Sequence, residues 1–313
     1  MTDKETELQL ETLRREVESY AAEHGLGAGL NPTLIDGLQC SVRPEPMLEP
    51  NCFYHLSVAV ILQGEKRVTA VGEVFEYGAG FSIVTASDIP TSFELLNCTN
   101  SKPFISTSLQ LDSLMIGEIL QELPAEYLSE ENAETQGGQV FTVAPATIDL
   151  IDSFIRLYRL MKHPEQLALR APLVKRDLYC ALLMSPEGAG LRKFCSRNSL
   201  TNRIAKTISW IRNHPTETLN VDTLSEMAVM SRTTFFRHFK TITGMSPLQY
   251  QKRLCLYLAQ NLMLSKGMSA AEAAYQVGYT STTQFSREYK KVFGLPPRKS
   301  LIEQVSKIEA SKI

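Results

Sequence analysis

The 313-residue chain carries 32 Lys+Arg against 34 Asp+Glu and is 43% hydrophobic, a globular balance that excludes wholesale disorder and leaves room for two domains. No apolar run is long enough to span a bilayer, and the charged, acidic N-terminus has no apolar stretch behind it, so neither a membrane partner nor a signal peptide is expected and the cytoplasm is the default compartment. Its 6 cysteines lack C-x-x-C spacing and its 5 histidines lie apart, which predicts reduced structural thiols and no metal.

In chain order, residues 4–24 read as an amphipathic helix with Leu8, Leu10, Leu13, Val17 and Tyr20 near helical spacing. Gly25, Gly27, Gly29 and Asn31-Pro32 end it. From Leu38 to Leu111 short β-rich runs follow, with strands expected over 53–62, 66–71, 73–77, 80–85, 93–97 and 104–110 and a turn at Gly72-Glu73. Such spacing suggests a small sandwich or barrel. Asp112 reads as the N-cap of a helix over 113–123 that Pro124 ends. Residues 124–138 read as an acidic loop. Two helices, 146–162 and 165–184, make an α-hairpin about His163-Pro164, serving either as a dimer surface or as a cap on the barrel. Residues 185–199 read as a linker.

Beyond it every element is helical: 200–213, 220–228, 231–242, 247–264, 269–276, 281–292 and a short helix near 298–308. The overall charge hides a split. From Leu200 onward there are 16 Lys+Arg and 7 Asp+Glu, a net +9, whereas residues 1–199 carry −11. A polyanion partner for the C-terminal part follows.

That part contains one segment written twice, fifty residues apart. The pairs are Ser231/Ser281, Thr233/Thr283, Phe235/Phe285, Arg237/Arg287, Phe239/Tyr289, Lys240/Lys290, Gly244/Gly294 and Pro247/Pro297. In each copy a short helix ends at a tight turn, where Gly278 suits a positive φ, and Ser caps the helix that follows. This is the plan of a helix-turn-helix, whose second helix enters the major groove.

Helical spacing puts Phe235 with Phe239, and Phe285 with Tyr289, on core faces. Thr233 with Arg237, and Thr283 with Arg287, fall on a second face where they can point outward together. Arg can bridge guanine O6 and N7, and Thr can meet a base edge or a thymine methyl. Thr282 and Phe236 flank this base-reading face. Arg232, Lys240, Arg253, Lys290, Lys291 and Arg298 are expected at phosphates, which set register and affinity. A long helix between the copies, capped by Ser246 with Pro247 at its first position, spans roughly 27 Å at 1.5 Å per residue. That spacing suits two recognition helices about one turn of B-DNA apart. Phe236 against Ser286, and His238 against Glu288, are where the two half-sites should differ.

Residues 200–300 closely resemble the DNA-binding domain of the AraC/XylS family of bacterial transcription regulators. The resemblance rests on Leu224-Ser-Glu-Met-Ala228, Phe235-x-Arg237-x-Phe239-Lys240, Thr243-Gly244-x-Ser246-Pro247, Val277-Gly-Tyr279 and Phe285-Ser-Arg-Glu-Tyr-Lys290. After the final proline the family often has a Tyr-Arg pair, where this chain has Arg298-Lys299-Ser300. Around Glu49-Pro50-Asn51 and Gly64-Glu-Lys-Arg-Val68 the N-terminal segment is similar to the sensor domain of one branch of that family.

The resemblance implies an α+β chain with a small β-barrel, cupin-like domain and flanking helices, then an all-α domain with two helix-turn-helix motifs. The divisions are 1–30, 31–185, 186–199, 200–300 and 301–313. It also implies double-stranded DNA, a small-molecule effector and RNA polymerase as partners; no cofactor is expected, and a homodimer is expected only where the hairpin serves as the dimer surface rather than as a cap. His55 is the only histidine between Gly25 and Lys162, which speaks against a metal-dependent oxygenase. Cys52, Tyr54, His55 and Phe81 are the candidate effector contacts. Two alternatives stand beside an activator of transcription: a DNA-targeted thiol enzyme of the alkylation-repair type, and a nucleoid protein with little sequence preference.

Overall fold

The computed structural model describes residues 2–128, 140–196 and 199–302. An N-terminal helix, α1 (Thr2–Glu23), precedes the strands. They are β1 (Gly29–Pro32), β2 (Leu38–Arg43), β3 (Met47–Tyr54), β4 (Ser57–Gln63), β5 (Glu65–Ala70), β6 (Glu73–Gly78), β7 (Phe81–Thr85), β8 (Ile89–Leu96), β9 (Phe104–Gln110) and β10 (Phe141–Pro145). They make two antiparallel sheets, ordered β1-β2-β9-β4-β7-β10 and β3-β8-β5-β6. The sheets face each other as an open sandwich, so the expected barrel does not close.

The expected strand over 53–62 is two strands in different sheets, with the chain crossing over at His55-Leu56. A nearly continuous run of apolar residues, Phe53, Tyr54, Leu56 and Val58 through Leu62, concealed that corner by reading as a single strand. The β5–β6 turn is centred on Val71-Gly72 rather than Gly72-Glu73: both residues have positive φ (54° and 83°), as a two-residue hairpin turn matching strand twist requires. β1, β2 and β10 were not expected; β1 and β10 are edge strands of only 4 and 5 residues, too short for a pattern to stand out in the sequence.

The far side of the six-stranded sheet is sealed by helices. Leu13, Val17 and Tyr20 of α1 are buried there, one helical face as their spacing predicts. The hairpin is formed by α4 (Ile148–Leu160) and α5 (Leu167–Met184). Tyr158 on α4 reaches Thr107 of β9, hydroxyl to hydroxyl, at 2.9 Å. On the outside, Glu16 binds Arg159 at 3.1 Å and Lys162 at 2.7 Å, tying α1 to the hairpin. Between strand and hairpin lie α2 (Ser113–Glu122), with Asp112 Oδ1 accepting from the Leu114 amide as expected, and α3 (Ala125–Leu128). Most of the expected acidic loop, 129–138, falls outside the described residues.

The expected linker is not an open connection. It carries α6 (Ala189–Cys195), with Leu191 and Phe194 buried in the N-terminal core, and Arg192 donates to the Leu183 and Ser185 carbonyls. Gly and Pro at its start masked these anchors. The all-helical remainder comprises α7 (Leu200–Asn213), α8 (Val221–Met227), α9 (Arg232–Thr243), α10 (Pro247–Lys266), α11 (Ala270–Gln276) and α12 (Thr282–Phe293). A last helical stretch covers 297–302, and the rest of the helix expected near 298–308 lies outside the described residues.

Candidate nucleic-acid interface

The two copies fold as two small cores on either side of α10. Phe235 and Phe239 of α9 are fully buried with Leu224, Tyr250 and Leu254. Phe285 and Tyr289 of α12 are buried with Ala273, Ala274, Ala259 and Met263. Both reading helices start and stop alike. Ser231 Oγ accepts from the Thr234 amide and Ser281 Oγ from the Gln284 amide, each at 3.3 Å. At the other end Gly244 (φ 75°) and Gly294 (φ 78°) are left-handed, their amides donating to the Lys240 and Lys290 carbonyls. These are the glycine stops that α-helix ends favour.

The turns differ where the sequence suggested equivalence. The left-handed position is Gly278 (φ 89°) in the second unit but Val229 (φ 53°) in the first, two residues before its capping Ser instead of three. A β-branched residue there is strained by about 1 kcal/mol or more. Val229 is 71% exposed, so Val229→Gly should stabilise the protein by about 1 kcal/mol, seen as a higher melting temperature. A lower one would mean that Val229 packs usefully.

Thr233, Arg237, Thr283 and Arg287 are all exposed, and neither arginine has an ion pair among the described residues. Thr282 and Phe236 are half-buried, and the Phe236 ring rests edge-on against Phe235 at 6.2 Å. Glu288, expected to distinguish the half-sites, instead faces α10. It takes hydrogen bonds from Tyr279 (2.7 Å), Gln284 (3.0 Å) and Lys252 (3.3 Å). Burial alone would raise its carboxyl, but these donors hold it below the usual range. Arg287 is thereby left to solvent.

Lys240, Lys290, Lys291 and Arg298 are exposed, as is Arg232, which has Asp222 at 3.4 Å. Arg253 must be removed from the phosphate set. It points back to the N-terminal domain, where Nε donates to Asn51 Oδ1 at 2.5 Å and a second nitrogen reaches the Pro50 carbonyl at 3.4 Å. Its helix face is the one that docks, which spacing within α10 alone could not reveal.

Sequence families agree with this architecture. A helix-turn-helix domain family matches residues 224–301, and the family of AraC-type transcriptional regulator N-termini matches residues 34–190, half of the chain. The chain belongs to the AraC-type transcriptional regulators. The transcriptional activator RhaS of Escherichia coli (strain SE11) is 30% identical over 111 residues, covering 34% of this chain and 40% of RhaS. The chain thus spans about 40% of the length of the curated relatives it matches. An apo point variant of ToxT from Vibrio cholerae strain SCE256 superimposes with a TM-score of 0.59 at 11% identity, over 87% of this chain and 98% of ToxT. Wild-type ToxT bound to an unsaturated fatty acid gives 0.57 at 10% identity, over 85% and 93%. At such identities the likeness is one of fold.

Within this AraC-type chain the N-terminal domain and the first reading unit share a contact through β3. Phe53 inserts into the first helical core, 5.6 Å from Tyr250 and 5.3 Å from Tyr257. Asp88 binds Arg212 of α7 at 2.9 Å and His55 at 2.6 Å, while its carbonyl accepts from Tyr250 Oη at 3.1 Å. His55 therefore belongs to the domain contact, apart from the sandwich interior. Phe81 is 37% exposed at the start of β7. Cys52 and Tyr54 do face the interior. Cys52 Sγ lies 2.9 Å from Thr91 Oγ1, and burial pushes its thiol up to about 11. The four candidate effector contacts thus do not form one cluster. Asp88 and Arg212 carried no sequence signal and Asn51 only its place in the Glu49-Pro50-Asn51 resemblance, since their partners lie far away in the chain.

Proposed function

We propose that this protein is a sequence-specific DNA-binding transcription regulator that lays α9 and α12 in two successive major grooves of one duplex. One observation carries the reading: two identically capped helices present Arg237 and Arg287 at matching positions, exposed and without an ion pair among the described residues. α10, with 20 residues, separates the units by about 30 Å, close to one turn of B-DNA. Thr233, Thr283, Thr282 and Phe236 complete the base-facing set. Arg232, Lys240, Lys290, Lys291 and Arg298 contact phosphates, leaving five expected charge contacts after the loss of Arg253.

The deciding experiment selects bound sites from random duplex DNA with the full chain. Two enriched half-motifs roughly ten base pairs apart are expected; enrichment of a single half-motif, or of none, would overturn the geometry. Substituting Lys290 by Ala should weaken every sequence alike and lower the salt slope by about 1. A change in base preference would instead make Lys290 a reader.

We further infer that binding is governed by a small molecule in the N-terminal domain, a reading supported by the fatty acid bound to the similarly folded ToxT. Activation of transcription is supported by the likeness to the activator RhaS, and RNA polymerase is the partner such activation would engage. Homodimerisation would use the outer face of α5, where Leu169 (79%) and Leu173 (67%) are exposed. Sedimentation of a Leu169→Glu variant as a monomer, against a dimeric parent, would bear this out. A thiol enzyme is the weaker alternative. Burial pushes the Cys52 and Cys255 thiols up to about 11 and Cys195 to about 12, the opposite of an activated nucleophile. A non-specific nucleoid protein would show no enriched site in the same selection.

A further inference from the structure

The inner faces of the sandwich do not form an ordinary core. Paired residues of an antiparallel ladder share a face, so the registers identify what points between the sheets. From the four-stranded sheet these include Lys66, Val68 and Ala70 of β5, Tyr77 and Phe75 of β6, Phe93 and Leu95 of β8, and Cys52 and Tyr54 of β3. From the six-stranded sheet they include Arg43 of β2, Phe104, Ser106 and Ser108 of β9, Ala59 of β4, and Phe141 of β10.

Two departures mark this interior as a site. The first is space. On the central strands β9 and β4, the residues turned to the helices are sealed: Ile105, Leu109, Val58 and Val60 are 0% exposed and Thr107 is 1%. Their neighbours turned to the other sheet, Ser106, Ser108 and Ala59, remain partly accessible, as do Phe75, Phe93 and Tyr54. Neither strand is at an edge, so the accessible surface lies between the sheets.

The second departure is charge. Lys66 occupies an inward position of β5, while Arg67 beside it points out and binds Glu76 and Glu94. The Lys66 ammonium sits 4.1 Å from the Phe93 ring centre, 5.2 Å from Tyr54 and 5.8 Å from Phe104. It makes no ion pair or hydrogen bond to any described residue. The Tyr54 hydroxyl is buried without a partner among the described residues. Arg43, also inward, has Glu49 within electrostatic reach, which leaves Lys66 as the uncompensated charge among the described residues. Burial pushes Lys66 down to about 8, so at neutral pH it remains mostly charged. An unpaired charge and an unpaired hydroxyl in such a place are costly unless something arrives to meet them.

We propose that the hollow between the sheets binds a monocarboxylate with an apolar or aromatic body, its carboxylate held by Lys66 and Tyr54 and its body laid on Phe75, Phe93, Phe104 and Phe141. This rests on the reading of the N-terminal domain as the effector-binding unit and gives that effector its chemistry. One uncompensated positive charge suits a monoanion; a dianionic phosphate would bury a second charge with no counterpart. The aromatic rings favour an apolar or aromatic body, whose burial on Phe75, Phe93, Phe104 and Phe141 leaves no hydroxyl to be satisfied. The same strand carries the consequence outward, since Tyr54 faces the hollow while Phe53, its neighbour, is seated in the first reading unit.

The test is calorimetric titration of the full chain with two probe pairs: decanoate against 1-decanol, and naphthalene-1-acetate against its primary amide. In at least one pair the carboxylate should bind about tenfold or more tighter than its neutral partner. Lys66→Met should abolish that preference while keeping the neutral affinity, and Tyr54→Phe should reduce it a few-fold. Both ligand-free variants should melt at or above the parent temperature, because each removes an unpartnered buried group; this keeps misfolding from passing as lost binding. Equal affinity of charged and neutral probes, or an unchanged preference in Lys66→Met, overturns the anion site and spares the effector reading. No binding of any probe overturns the anion site; if the DNA affinity of the full chain also fails to respond to a wider metabolite set, the effector reading falls too.

Discussion

Alanine at both Arg237 and Arg287 should erase discrimination between the selected site and scrambled DNA, while leaving non-specific binding largely intact. Each arginine is exposed on the outward face of a rigid, doubly capped helix. A bidentate contact to guanine is worth about 1–3 kcal/mol, or roughly fivefold to more than a hundredfold. The two side chains belong to units with separate cores, so their losses should add to about 2–6 kcal/mol. The single variants should each relax preference in one half-motif only, and in different ones. Fluorescence anisotropy at one fixed salt concentration, with specific and scrambled duplexes, measures the ratio directly. The exposed lysines proposed to meet phosphates remain in the variant, so a parallel fall on both duplexes would mean that the arginines only supply charge. An unchanged ratio would remove them from the reading face altogether.

How much of this was legible beforehand divides along a physical line. The reading units were, because their determinants are local: a capping Ser, a terminal Gly and aromatic residues four apart all act within a single helix. The exposed positions of Arg237 and Arg287 followed from the same periodicity. Arg253 was misplaced because its partner, Asn51, is 202 residues away, and nothing within α10 distinguishes a docking face from a DNA face. His55 failed for a like reason, its ring being fixed by Asp88 beside Arg212. The corner between β3 and β4 was invisible because a sheet change leaves hydrophobic content unaltered. Lys66 lay within a segment already similar to the family's sensor domain, yet only the β5 register shows that it, rather than Arg67, turns inward. In a strand, one residue of register exchanges the two faces completely.

Phe285→Ala should cost about 3–5 kcal/mol and unfold the second reading unit while the first stays folded. Phe285 is 0% exposed and stands between Tyr279 (5.3 Å) and Tyr289 (5.5 Å). Every described member of its cluster comes from residues 255–301, so the cavity is confined to that unit. The equivalent Phe235→Ala creates a cavity of similar size with a different reach. Phe235 leads through Phe239 (5.6 Å) and Tyr250 (5.7 Å) to Phe53 of the N-terminal domain (5.6 Å). Loss at that position should therefore loosen the domain contact as well. Hydrogen exchange separates the two outcomes. In Phe285→Ala, protection should fall in α11 and α12 and persist in α8, α9 and β3, and a footprint on the selected site should keep one half-motif. In Phe235→Ala, exchange should rise in α9 and β3 together. If either substitution instead melts the whole chain in one step, the units are not separable. The fifty-residue repeat would then describe one cooperative core, with both grooves bound or neither.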